Sequence, residues 1–103
     1  MLAPVDIKGI DPASNRSAGF AVIRAHYNFV QPINVPGLTN NHVVMASITE
    51  VFPNPASGQI DLPGIGAAQM FVRSVAPQNG TLFVSGYIDW DQDLNIRISV
   101  FIA

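Results

Sequence analysis

The chain has 103 residues and no cysteine, is 49% hydrophobic but only 12% charged, and carries a net charge of −2. That is the size of one domain, and the missing cysteines exclude a disulfide framework, a zinc-finger pattern and a thiol nucleophile. Lys8, Arg16, Arg24, Arg73 and Arg97 are scattered along the chain, so the basic run that direct nucleic-acid binding requires is absent.

Residues 1–18 contain Pro4, Gly9 and Pro12, show no period of their own, and read as an extended N-terminal arm ahead of a single domain over 19–103. The opening MLAPVDIKGID lacks the charged start and apolar run of a signal peptide. No apolar stretch approaches the ~18 residues of a membrane span, so no membrane partner is expected. GFAVIRAHYNF, residues 19–29, is rich in strand formers and predicts a first strand. VQPINVPGLTNN, residues 30–41, is punctuated by Pro32, Pro36 and Gly37 and reads as a loop or edge segment. HVVMASITEVF, residues 42–52, predicts a second strand, apolar enough to be covered on both faces. PNPASGQIDLPGIG, residues 53–66, is a turn-rich connection with room for a short strand at 59–62.

The C-terminal third predicts a three-strand meander: AAQMFVRSVA, TLFVSGYIDW and LNIRISVFIA, joined by PQNG and DQD. Asn79-Gly80 is a strong hairpin signal, because such turns require positive φ. In the middle strand Leu82, Val84, Gly86, Ile88 and Trp90 share one face. In the last strand Leu94, Ile96, Ile98, Val100 and Ile102 alternate with Asn95, Arg97, Ser99, Phe101 and Ala103, and so apolar a strand is expected inside a sheet. Several strands, proline-rich connections and no helical period indicate an all-β fold. The expected form is an antiparallel β-sandwich or small jelly roll with an extended N-terminal arm.

Four groups of residues could carry chemistry. Asp89, Asp91, Asp93 and Asn95 follow a D-x-D-x-D-x-N spacing that could present oxygens to Ca²⁺. Leu94 stands where a calcium loop needs Gly, and Val100 where it needs a bidentate Glu, so a solvated hairpin tip is the expected reading. His26 and His42 fall on different strands with no further ligand nearby, and no metal or other cofactor is expected. No G-x-S-x-G motif or convergent acid–base set is present, so an enzyme is not expected. Tyr87, Asp89, Trp90 and Asp91 could form a sugar site, with a ring stacked on the sugar and carboxylates on its hydroxyls. The competing and favoured expectation places Trp90 in the core, in phase with Leu82, Val84 and Ile88. Asn15-Arg16-Ser17 and Asn79-Gly80-Thr81 are formal glycosylation sequons, which are common by chance.

Two resemblances follow from these features. VRSVAPQNGTLFVSGYIDW and ISVFIA, a strand, turn and strand ending in Trp followed by an aromatic-containing last strand, resemble the end of H-type lectin domains. That likeness covers about a third of the chain and implies a small oligomeric β-sandwich that binds sugars outside the cell. Phe101 departs from it, standing where those domains usually carry a second Trp. The whole chain is similar to the small β-sandwich decoration (cement) proteins of bacteriophage capsids: cysteine-free, poor in charge, rich in Pro, Gly, Asn and Gln, with an extended arm. This likeness implies a non-enzymatic structural protein on the virion surface, oligomeric as a trimer or dimer and bound to other capsid proteins. It suits the charge content, about half the usual share of roughly 25%, because a surface this poor in charge is best covered by other subunits.

Overall fold

A computed structural model describes residues 1–9 and 18–103. The strands are β1 (Val5–Asp6), β2 (Ala18–Ala25), β3 (Tyr27–Asn34), β4 (Val44–Asn54), β5 (Gln59–Gly64), β6 (Met70–Gln78), β7 (Thr81–Ile88) and β8 (Leu94–Ile102), and no helix occurs among the described residues. They form two four-stranded sheets, in the orders β1-β3-β7-β6 and β2-β8-β4-β5. Every pairing is antiparallel except that of β1 with β3. The protein is an all-β sandwich.

Side chains alternate across each strand, and each sheet sends its apolar set inward. β7 contributes Leu82, Val84 and Ile88 to the core and β8 contributes Ile96, Ile98 and Val100. Ala21, Ile23 and Ala25 from β2 and Phe29 and Ile33 from β3 join the buried cluster. β8 lies between β2 and β4, as its apolar alternation predicted. Its last backbone rung is closed by Ala103, which exchanges two hydrogen bonds with Val43 at 3.0 and 2.8 Å.

Three expectations are corrected by the way the chain changes sheets. Residues 19–29 are two strands in different sheets, broken at His26, with Tyr27 in the left-handed region at φ 50°. Residues 30–34 belong to β3, although they contain Pro32. The carbonyls of Val30 and Asn34, two residues either side of Pro32, accept from Leu2 and Ile7 on the N-terminal segment. By alternation Pro32 turns the same way, so the N–H it lacks is not one that would bond β7. Lastly, β6 and β7 are a hairpin, but β8 crosses to the opposite sheet, so the three strands are not one meander. The crossing starts where the Trp90 N–H donates to the Ile88 carbonyl at 2.9 Å, a three-residue turn that bends the chain out of the sheet.

β4 is open on one face instead of covered on both, with Met45 and Ser47 exposed. Of the arm expected over 1–18, residues 1–9 run along the open side of the sandwich. β1 pairs with β3 in one sheet, and Lys8 exchanges two backbone hydrogen bonds with Phe20 of the other. Leu2, Val5 and Ile7 pack against the core. Residues 10–17, including the Asn15 sequon and Arg16, lie outside the described residues.

Candidate functional site

Two of the links that change sheets, β2 to β3 and β7 to β8, fall at one end of the sandwich. Ala25, the end of β2, pairs with Leu94, the start of β8, while Tyr27 pairs with Ile88. The two links are tied together by a side-chain hydrogen bond between His26 Nδ1 and Asp93 Oδ1, 2.5 Å apart.

Two backbone irregularities shape this end. Tyr27 is the register partner of Ile88, which is fully buried, so an ordinary extended Tyr27 would point inward. Its left-handed φ swings the ring out instead, leaving it 45% exposed and stacked on Tyr87 at 6.4 Å. Such a conformation costs a non-glycine residue about 1–3 kcal/mol. The second irregularity is in β6. Val72 pairs with Gly86 and Ser74 with Ser85, so Arg73 is the extra residue of a β-bulge. Val72 and Val75 pack on the core, while Arg73 and Ser74 both face outward.

The bulge carries the Arg73 guanidinium over two rings, 5.6 Å from the Tyr87 centroid and 5.7 Å from that of Phe71. Phe71 and Tyr87 are themselves in contact at 5.7 Å, and His26 lies 5.3 Å from Tyr27. Beside Arg73, the Ser74 and Ser85 hydroxyls are hydrogen-bonded at 2.9 Å. An open hollow of about 570 Å³ lies here, lined by Arg24, His26, Tyr27, Asn28, Arg73 and Asp93 among others, with Met1 and Leu2 on its rim.

The residues singled out from the sequence are only partly gathered at this place. Tyr87 is in the aromatic cluster and Asp93 in the hollow's wall, whereas Asp89 and Asp91 are exposed on the turn after β7. Trp90 is not in the core: at 40% exposed it lies beyond the end of β7, because the turn at Ile88 breaks its phase with Leu82 and Val84. Among the described residues no three His, Asp or Glu side chains, Asp89, Asp91 and Asp93 included, are placed to share a metal ion. His42 is used locally, its Nδ1 accepting from the Thr39 N–H at 2.9 Å. Sequence reasoning missed Tyr27, Phe71 and Arg73, which are 44 and 2 positions apart in the chain and are gathered around Tyr87 only through strand pairing and the bulge. No family model, curated protein or solved structure matches the chain.

Proposed function

We propose that the protein is a non-enzymatic structural subunit that self-associates and clamps neighbouring subunits of a larger shell, in the manner of bacteriophage capsid decoration proteins on the virion surface. The observation that carries this reading is the outer face of the sheet β2-β8-β4. Three of its rungs, ahead of the one that pairs Arg24 with Asn95, are Ala18, Phe101 and Met45; then Phe20, Ser99 and Ser47; then Val22, Arg97 and Thr49. Nine side chains include one charge, and that one, Arg97, lies over the Phe20 ring at 5.7 Å. Val43 and Met45 are 66% and 64% exposed, and Phe101 is 46% exposed. An apolar, nearly uncharged face suits burial against another subunit, where each Å² of apolar surface removed from water is worth about 25 cal/mol. A second copy is the natural occupant, because a face with one charge presents no repulsion to itself. The resulting dimer or trimer would bridge adjacent capsid proteins, with buried area and backbone pairing as its chemistry.

Native mass spectrometry and sedimentation velocity at micromolar concentration test the reading. The expected result is an oligomer, converted to monomer by Met45→Asp together with Phe101→Asp. A wild-type protein that stays a clean monomer across that range overturns it.

A further inference from the structure

We propose that the hollow at the end of the sandwich is a binding site for an acidic saccharide, with Arg24 and Arg73 taking its carboxylate and Tyr27 taking a face of its ring. This does not rest on the self-association reading, since none of the nine side chains of the apolar rungs on β2-β8-β4 lines the hollow.

The inference starts from the coincidence of two costly backbone features at one place. A left-handed tyrosine and a bulged arginine each disturb a sheet that regular pairing would serve better, and both deliver a side chain to the same hollow. Strain and bulges of this kind persist where the surrounding structure holds them, and they re-aim side chains at functional sites. What they deliver is chemically specific. Tyr27 offers an exposed ring, stiffened by stacking on Tyr87, and such a surface suits the C–H face of a pyranose. Arg73 and Arg24 line the hollow from two different sheets, and neither is bonded to a carboxylate among the described residues. A guanidinium forms two parallel hydrogen bonds with a carboxylate, giving both orientation and affinity.

The remaining wall mixes apolar residues such as Leu2, Phe29 and Val30 with a few polar groups that can meet hydroxyls. Asn28 contributes an amide and Ser85 a hydroxyl, and the His26 ring is held by Asp93 through Nδ1, leaving Nε2 for a ligand. A bare inorganic anion would use the arginines and leave the ring face unused. A neutral sugar would use the ring and leave both arginines unused. A carboxylate on a sugar ring uses both sets at once.

Isothermal titration calorimetry with a glucuronic-acid disaccharide, its neutral glucose counterpart and acetate tests the assignment on the intact protein. The acidic disaccharide is expected to bind saturably, and the neutral sugar and acetate about tenfold more weakly or less. Arg24→Gln and Arg73→Gln should each weaken acidic-sugar binding about tenfold, while Lys8→Gln, the same loss of charge away from the hollow, should leave it unchanged. Tyr27→Asn keeps a residue tolerant of the left-handed region and should abolish binding while the protein stays folded by circular dichroism. Absence of saturable binding at millimolar ligand overturns the proposal. So does equal affinity for the neutral sugar, or equal loss in the Lys8 and arginine variants.

Discussion

At the level of single residues, three positions show how closely function and stability are interleaved in a sheet this short. Gly86 sits under the Phe29 ring, and a Cβ there would lie 2.8 Å from both Phe29 Cζ and the Phe71 carbonyl oxygen. The ring could turn, but the carbonyl belongs to the β6–β7 ladder and cannot yield. Gly86→Ala should therefore cost about 1–3 kcal/mol, read as a lower denaturation midpoint with an unchanged slope. Trp90 and Ile88 make the opposite pair. Ile88 is fully buried and Trp90 is 40% exposed past the turn. Ile88→Ala should cost about 2–5 kcal/mol, whereas Trp90→Ala should stay within about 0.5 kcal/mol of the wild type. A large loss for Trp90→Ala in chemical denaturation would return that side chain to the core.

At the level of elements, the segment before residue 10 behaves as part of the sandwich. Its hold is polar as well as apolar. Gln31 is a buried polar side chain facing the core from β3, and its Nε2 donates to the Ala3 and Pro32 carbonyls, each at 2.8 Å. Gln31→Leu removes both bonds and leaves the buried Pro32 carbonyl without that donor, a loss of about 1–3 kcal/mol. Deleting residues 1–9 removes the packing of Leu2, Val5 and Ile7 and one of the two acceptors of the Gln31 amide. Both variants should melt several degrees below the wild type in thermal circular dichroism. An unchanged melting temperature on deletion would show that β1 adds nothing to the edge of β3. The far end of the sandwich is closed by a second clasp. The Val35 N–H donates to Gly80 and the Gly80 N–H to Leu38, so the loop after β3 is buttoned onto the β6–β7 turn. Gly80 carries a φ of +79°, which is why a glycine stands there.

At the level of the whole molecule, the sparse charge takes on a location. One sheet turns a nearly neutral run of rungs outward, while the hollow takes Arg73 and Tyr27 from the other sheet and Arg24 from the end of β2. If the neutral face is covered by a second copy, folding and association are linked, and the melting temperature should rise with protein concentration. The Met45→Asp and Phe101→Asp double variant should melt at a temperature independent of concentration. Scanning calorimetry across a hundredfold dilution series, on the order of the range in which mass action shifts stability by a few kcal/mol, separates the two.

The sequence by itself determined the all-β class and, for the last two strands, which side is apolar. The alternation in Thr81–Ile88 and Leu94–Ile102 is a local period of two, and every odd or even side chain feels it directly. The Asn79-Gly80 turn was equally legible, because positive φ is a property of the residue that adopts it. Which sheet each strand joins was decided only in the tertiary structure. Residues 19–34 read as one strand followed by a loop, yet they divide at His26 between two sheets, and the strand after Ile88 leaves its hairpin for the opposite layer. Apolar alternation is satisfied equally well on either sheet, so the local pattern carries no information about the partner. The choice rests on pairings between residues up to about 80 positions apart, such as Ala18 with Phe101, and on the corners that those pairings hold in place. Tyr27 shows the consequence most plainly, since its left-handed backbone is unfavourable locally and is sustained only by the two sheets that meet there.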